Sequence, residues 1–231
     1  MTAVNRAIYL CLALLGLCGL VFAMWPEIDL AAAQIFFGGD HFFGRGWLSH
    51  ALRLIGIWIP IAVLLGAFII WIWGLVGKAP LRLSNKIFVF LLATMILGPG
   101  LIVNVGLKDH SHRPRPFTIH QFGGSMEFRP WYRFDGACDH NCSFISGESA
   151  SATWLVAPAL LAPPPFQPLA LVSAGLFTAA VSLLRMAFGA HFLSDVLFST
   201  LLNLLLILLG FKWLNHHPKP EPRHHSQDLD N

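Results

Sequence analysis

An apolar run of about 20 residues is what a helix needs to cross the hydrocarbon core of a bilayer, and this chain has six stretches near that length. They cover residues 7–24, 52–75, 87–105, 146–161, 169–188 and 192–214. A 231-residue chain that is 55% hydrophobic and only 12% charged, with a mean hydropathy of +0.63, carries more apolar surface than one soluble domain of its size can bury. Backbone N–H and C=O groups in lipid must be satisfied within the segment, so apolar spans of this kind are helices. The expected fold class is therefore all-α: a polytopic membrane protein with six transmembrane helices. Serine and alanine make the fourth stretch the softest of the six. The first exceeds the apolar core of a cleaved signal and has no small-x-small cleavage site before Trp25, so it reads as a retained anchor.

Basic residues orient the spans. Arg6 precedes the first, Lys78, Arg82 and Lys86 lie between the second and third, and Lys212, Lys219 and Arg223 follow the sixth. The positive-inside bias makes these regions and both termini cytoplasmic, which an even number of spans satisfies. Residues 25–49, rich in Phe, Gly and Trp, read as an interfacial segment that anchors the chain and helps admit a lipid. Residues 162–168, with three consecutive prolines, form a turn, and 216–231 form a disordered cytoplasmic tail whose four histidines reflect solvation and no metal site. Residues 1–215 are then one membrane domain. A net charge of +3 spread over loops gives no footprint for nucleic acid, which leaves membrane lipids as the partners.

This topology places the loop 106–144, the start of the fourth span and the link between the fifth and sixth on one outer face. Residues 108–116 read Lys-Asp-His-Ser-His-Arg-Pro-Arg-Pro, and the cationic set Lys108, His110, His112, Arg113 and Arg115 there demands an anion. Pro114 and Pro116 push Arg113 and Arg115 out of the α region, so Lys108 and Arg115 converge from a helix end and an extended turn. The fitting guest is a phosphate, with lipid-headgroup contact as the plainer alternative. Ser146 and Gly147 open the fourth helix, where successive N–H groups bind an anion and glycine allows close approach; helix capping by Ser146 fits equally. His191 and Asp195 are four apart, so the carboxylate can accept from one ring nitrogen and leave the other unprotonated. Cys138 and Cys142 form a Cys-x-x-x-Cys pair for which an oxidising outer face permits a disulfide; a metal pair is the competing reading, weakened by the lack of a second cysteine pair.

The residues Lys108, six positions, Arg115-Pro116, and then Arg185, five positions, His191, three positions, Asp195, resemble the first and third signatures of the type 2 phosphatidic acid phosphatase superfamily of integral-membrane lipid phosphatases. The resemblance implies a six-helix bundle that is a metal-independent phosphoric monoester hydrolase needing no cofactor. It makes His191 the nucleophile of a phosphohistidine intermediate, Asp195 its partner, and Lys108, Arg115, Arg185, Ser146 and Gly147 the phosphate binders. At the second signature the family reads Ser-Gly-His and this chain reads Ser146-Gly147-Glu148. The family histidine protonates the leaving alcohol, so Glu148 is expected to act as that acid, with His110 or His112 as alternative donors. Arg113 falls outside the pattern. Local stretches, including Gly98-Pro99-Gly100 and Cys138 through Phe144, are similar to the lipid A 4'-phosphatase branch, which implies a bacterial inner-membrane enzyme with its site facing the periplasm. Phosphatidylglycerophosphate, undecaprenyl diphosphate and the lipid A 1-phosphate are the competing substrates, and a lipid-phosphate binder or flippase is the competing function.

Overall fold

The computed structural model describes residues 2–77, 83–108 and 110–215. Lys78, Arg82, Asp109, Lys219, Arg223 and the expected tail at 216–231 lie outside the described residues. Among the described residues there is no β-strand, only two isolated bridges. Among the same residues five helices are long and apolar enough to cross a membrane: Ala3–Met24, Trp47–Leu75, Asn85–Val103, Gln167–Ala187 and Leu193–Leu214.

α1 (Ala3–Met24) begins at Thr2, whose hydroxyl accepts the Asn5 N–H at 3.3 Å. Its buried positions Ile8, Cys11, Cys18 and Phe22 form one face, on which it packs against the last helix, while Tyr9, Leu10, Leu17 and Leu20 point outward. A short α2 (Glu27–Gln34) follows, and then a 3-10 turn, Phe43–Arg45, leads into α3 (Trp47–Leu75). Gly56 and Pro60 are the buried residues of α3. Most of that helix faces outward with Leu, Ile and Trp, as a lipid-facing helix should.

α4 (Asn85–Met95) is capped by Ser84 and widens into a π-helix over Ile96–Leu107. Pro99 supplies the cause: it has no N–H to donate and its ring crowds the carbonyl four residues back, so the helix opens to i→i+5 bonding, which persists to the Lys108 N–H on the Val103 carbonyl at 3.1 Å.

The expected fourth span, 146–161, is instead two short helices, α5 (Gly147–Trp154) and α6 (Val156–Ala159), broken at Leu155. Pro158 cannot donate to the Trp154 carbonyl and its ring clashes with it, which is where the break falls. Residues 147–159 would span only about 20 Å as continuous helix. Length and apolarity matter less here because α5 sees protein, not lipid. It lies among α3, the π-helix, α7 (Gln167–Ala187) and α8 (Leu193–Leu214), with Ser149, Ala150, Ala152, Thr153 and Trp154 all buried. Small side chains let those neighbours come close. The Trp154 indole N–H reaches the Leu91 carbonyl and the Thr94 hydroxyl, both at 3.1 Å, and Asn203 of α8 donates to the Ala150 carbonyl at 2.6 Å.

The first turns of α3, α5 and α8 and the last turn of α7 meet at one end of this bundle, under the loop that follows the π-helix. Every polar contact described next is at that end.

Candidate active site

α7 stops at Ala187, and Gly189 turns the chain with φ of +65°, a conformation open to glycine at no steric cost. The Phe42 ring packs where a Cβ on Gly189 would stand. The next residue but one is His191, 2% exposed. It lies ahead of α8, whose N-cap is Phe192, so although four residues from Asp195 it does not share a helical face with it. Its Nδ1 bonds the Ser143 carbonyl oxygen at 2.7 Å and stands 3.8 Å from Asp195 Oδ2, outside hydrogen-bond range. A carbonyl can only accept, so Nδ1 carries the proton and Nε2 keeps its lone pair. Burial drives the imidazole pKa down to about 4, with Arg115 and Arg185 adding to the effect and Asp195 opposing it.

Asp195 is fully buried and serves three other donors. Its carboxylate accepts the Ser143 hydroxyl, the Phe192 N–H at 2.8 Å and Arg113 Nη1. Ser143 thus joins the pair that sequence spacing joined directly: its carbonyl holds the ring of His191 and its hydroxyl is held by Asp195.

Arg113, outside the family pattern, is 1% exposed and central. Nη2 donates to Asp29 Oδ2 at 2.7 Å, Nη1 also reaches Ser194 Oγ at 2.9 Å, and Nε donates to the Arg129 carbonyl at 2.9 Å. Asp29 in turn accepts the Ser194 N–H at 2.8 Å and its hydroxyl at 2.6 Å. Burial alone would depress the guanidinium, but Asp195 and Asp29 more than reverse it. Burial pushes the Asp29 carboxyl up, with Arg113 pulling the other way. The segment 25–49, read from sequence as an interfacial anchor, therefore sends a buried carboxylate into the framework of the site.

Beside this framework is an open cavity of about 420 Å³, lined by Arg45, His50, Arg53, Arg115, Phe117 and Arg185 among others. Gly44, just before, lies against α7: a Cβ there would stand 2.6 Å from the Ala187 carbonyl carbon and the Phe188 nitrogen. Arg115 is braced by Asn141, its Nε and Nη2 donating to the backbone oxygen at 2.9 and 2.6 Å and Nη2 also to Oδ1 at 2.7 Å. A disulfide between Cys138 and Cys142 closes the short loop that carries Asn141. Burial lowers the Arg115 pKa, and Asp195 and Glu148 oppose that. Arg185, 6% exposed, lies over the Phe188 ring and has a buried Nε–H without a partner among the described residues.

Glu148 is not disposed as an acid. Arg53 grips it bidentately, Nε to Oε1 at 3.0 Å and to Oε2 at 3.2 Å with Nη2 to Oε1 at 2.9 Å, and Arg185 Nη1 is 3.5 Å from Oε1. Both carboxylate oxygens accept from Arg53 and Oε1 also faces Arg185, which is the geometry of a brace between two guanidinium groups. At the head of α5, Ser146 is buried; its hydroxyl accepts the Ser149 N–H and its own N–H reaches the Asp195 carbonyl at 3.4 Å, leaving those of Gly147 and Glu148 as the leading donors of that helix. Lys108 caps the π-helix. His110 is exposed and His112 Nδ1 bonds the Cys138 carbonyl at 3.0 Å; neither lines the cavity.

A family model described as the PAP2 superfamily matches residues 87–219. The chain belongs to this superfamily. It is 34% identical over 227 residues to the lipid A 4'-phosphatase of Rhizobium leguminosarum, covering 86% of this chain and 93% of the relative. It is also 34% identical over 188 residues to the lipid A 4'-phosphatase of Francisella tularensis subsp. novicida (strain U112), covering 77% and 82%. The fold is similar to that of the transmembrane PAP2 type phosphatidylglycerolphosphate phosphatase from Bacillus subtilis, with a TM-score of 0.50, 23% identity and coverage of 90% of this chain and 94% of that one.

This PAP2 chain owes several site residues to segments its sequence signatures do not mark: Asp29, Arg45, His50, Arg53, Asn141 and Ser143. One signal was available for two of them. His50 and Arg53 stand three apart at the head of an otherwise apolar 29-residue helix, where a charged side chain calls for a partner or a task.

Proposed function

We propose that this protein removes the 4'-phosphate of lipid A at the periplasmic face of a bacterial inner membrane, through a phosphohistidine on His191. The observation that carries the reading is the pairing of a neutral, buried imidazole with a cluster of guanidinium groups, among them Arg185, whose buried Nε–H has no partner among the described residues. Two relatives that align over most of the chain and are lipid A 4'-phosphatases favour this substrate over the other phospholipids.

In this reading residues 1–215 are the phosphatase domain and cross the bilayer six times, with α5 and α6 forming the enclosed crossing and both termini in the cytoplasm. The phosphoryl group sits among Arg115, Arg185, Lys108 and the leading N–H groups of α5. These neutralise the equatorial oxygens as charge spreads over them in the transition state. His191 Nε2 attacks phosphorus, Nδ1–H remaining on the Ser143 carbonyl, and water later releases phosphate from the imidazole. Asp195 sets the framework through Ser143 and stabilises the imidazole's developing charge from 3.8 Å. Glu148 holds Arg53 and Arg185 in place. No step here calls on a metal.

The test is mass spectrometry of lipid A and total phospholipid from a lipid A-producing bacterium with and without the protein. Loss of one phosphate from the distal glucosamine, with phospholipids unchanged, is the expected result; an unaltered lipid A beside a dephosphorylated glycerophospholipid overturns the assignment.

The His191 value sets a pH expectation. Because its folded pKa lies near 4, against about 6.5 for the unfolded residue, the nucleophile stays neutral down to about pH 4. The first-turnover rate of phosphoenzyme formation should hold on the acid side without a His191-dependent fall at pH 6.5. The linkage to stability has the opposite cost: the unfolded chain takes up this proton before the folded one, so stability falls as pH drops from about 6.5 to about 4 and loses no more from this residue below that. Rapid-quench kinetics and thermal melts across that range check both.

A further inference from the structure

With Glu148 held as an acceptor, the alkoxide that leaves phosphorus still needs a proton, and the cavity walls say where it comes from. Arginine guanidiniums do not deprotonate in proteins, which removes Arg45, Arg53, Arg115 and Arg185 from consideration. Phe117, Phe188 and Ala190 have no proton to give. The remaining lining residue is His50, in the first turn of α3. Its ring meets Phe188 edge-on, with centroids 4.9 Å apart, and the Arg185 guanidinium lies over the same ring at 5.5 Å. His50 and Arg185 thus flank one aromatic platform. His50 is exposed to the cavity, three residues before the arginine that engages Glu148.

We propose that His50 is the general acid for the leaving alcohol, taking over from α3 the task that the second family signature assigns to its own histidine. The inference rests on the phosphatase reading above. In the first half-reaction His191 Nε2 forms a bond to phosphorus, the P–O bond to the sugar breaks with its electron pair on oxygen, and the His50 imidazolium delivers its proton to that oxygen. In the second, water attacks phosphorus, neutral His50 takes a proton from it, and the P–N electron pair returns to His191. Protons and charge balance over the cycle, and imidazole is the side-chain type suited to both transfers near neutrality.

The experiment compares two probes in the full-length, detergent-purified protein: bisphosphorylated lipid A, whose sugar alkoxide needs a proton to leave, and p-nitrophenyl phosphate, whose phenolate does not. First-turnover rates are read for wild type, His50→Gln and His50→Ala. The expected result is a loss of about 10²–10⁴-fold on lipid A for both variants, a change of no more than a few-fold in the nitrophenolate burst, and partial recovery of His50→Ala on lipid A with added imidazole. An equal loss on both probes makes His50 a structural or binding residue and overturns the proposal, as does a wild-type rate on lipid A. A wild-type protein that forms no phosphoenzyme from either probe overturns the phosphatase reading instead.

Discussion

His191→Ala is expected to lower phosphate release from the lipid substrate by at least about 10⁴-fold, the scale on which a covalent nucleophile is lost when the rest of its site stays in place. Alanine removes the imidazole but leaves Arg115 on Asn141 and Arg185 against Glu148, so substrate affinity should change far less than turnover. The same variant should accumulate no acid-labile, alkali-stable protein-bound phosphate after mixing with labelled substrate. Retention of the wild-type rate would remove His191 from the chemistry. The surroundings fix both the tautomer and the charge of this imidazole: the Ser143 carbonyl holds Nδ1–H, and burial keeps the ring neutral. A Ser143→Ala substitution would keep that carbonyl, which is why the nucleophile itself is the informative target.

Arg113→Met is expected to be the most destabilising single change. It leaves Asp29 and Asp195, 1% and 0% exposed, as two uncompensated buried carboxylates. Breaking a buried ion pair from one side costs about 3–5 kcal/mol, which for a chain of this size is a fall in melting midpoint of roughly 10 °C. Adding Asp29→Asn should return part of the loss, since one of the stranded charges is then gone. The double variant should therefore melt above Arg113→Met alone. Additive losses would show that the network is not coupled as drawn. Activity should fall with stability, because Asp195 organises Ser143 and through it His191.

Arg113 also marks where sequence reasoning reaches its limit. Its neighbour in the signature, Arg115, is recognisable from spacing to a proline and a lysine, and both were legible as cations on one loop. Which of the two meets the cavity and which is buried in the framework depends on Asp29, 84 residues earlier, and Asp195, 82 later. Nothing local in the chain encodes that. Glu148 is the same case in reverse. A glutamate where a histidine is usual invites the reading that it inherits the histidine's work, and only the approach of Arg53 from another helix turns it into a brace.

The apolar runs by themselves decided that this is an all-helical membrane protein, because lipid leaves the backbone no other way to satisfy its polar groups. The spaced signatures decided its family, since motif identity is a property of order and distance along the chain. Tertiary structure alone decided that the fourth run is an enclosed pair of short helices and that His191 leans on Ser143. It also decided that α3 contributes His50 and Arg53 to the cavity and the turn before it Arg45. Those outcomes are contacts across the bundle, and a contact energy has no term in the sequence of either partner taken singly.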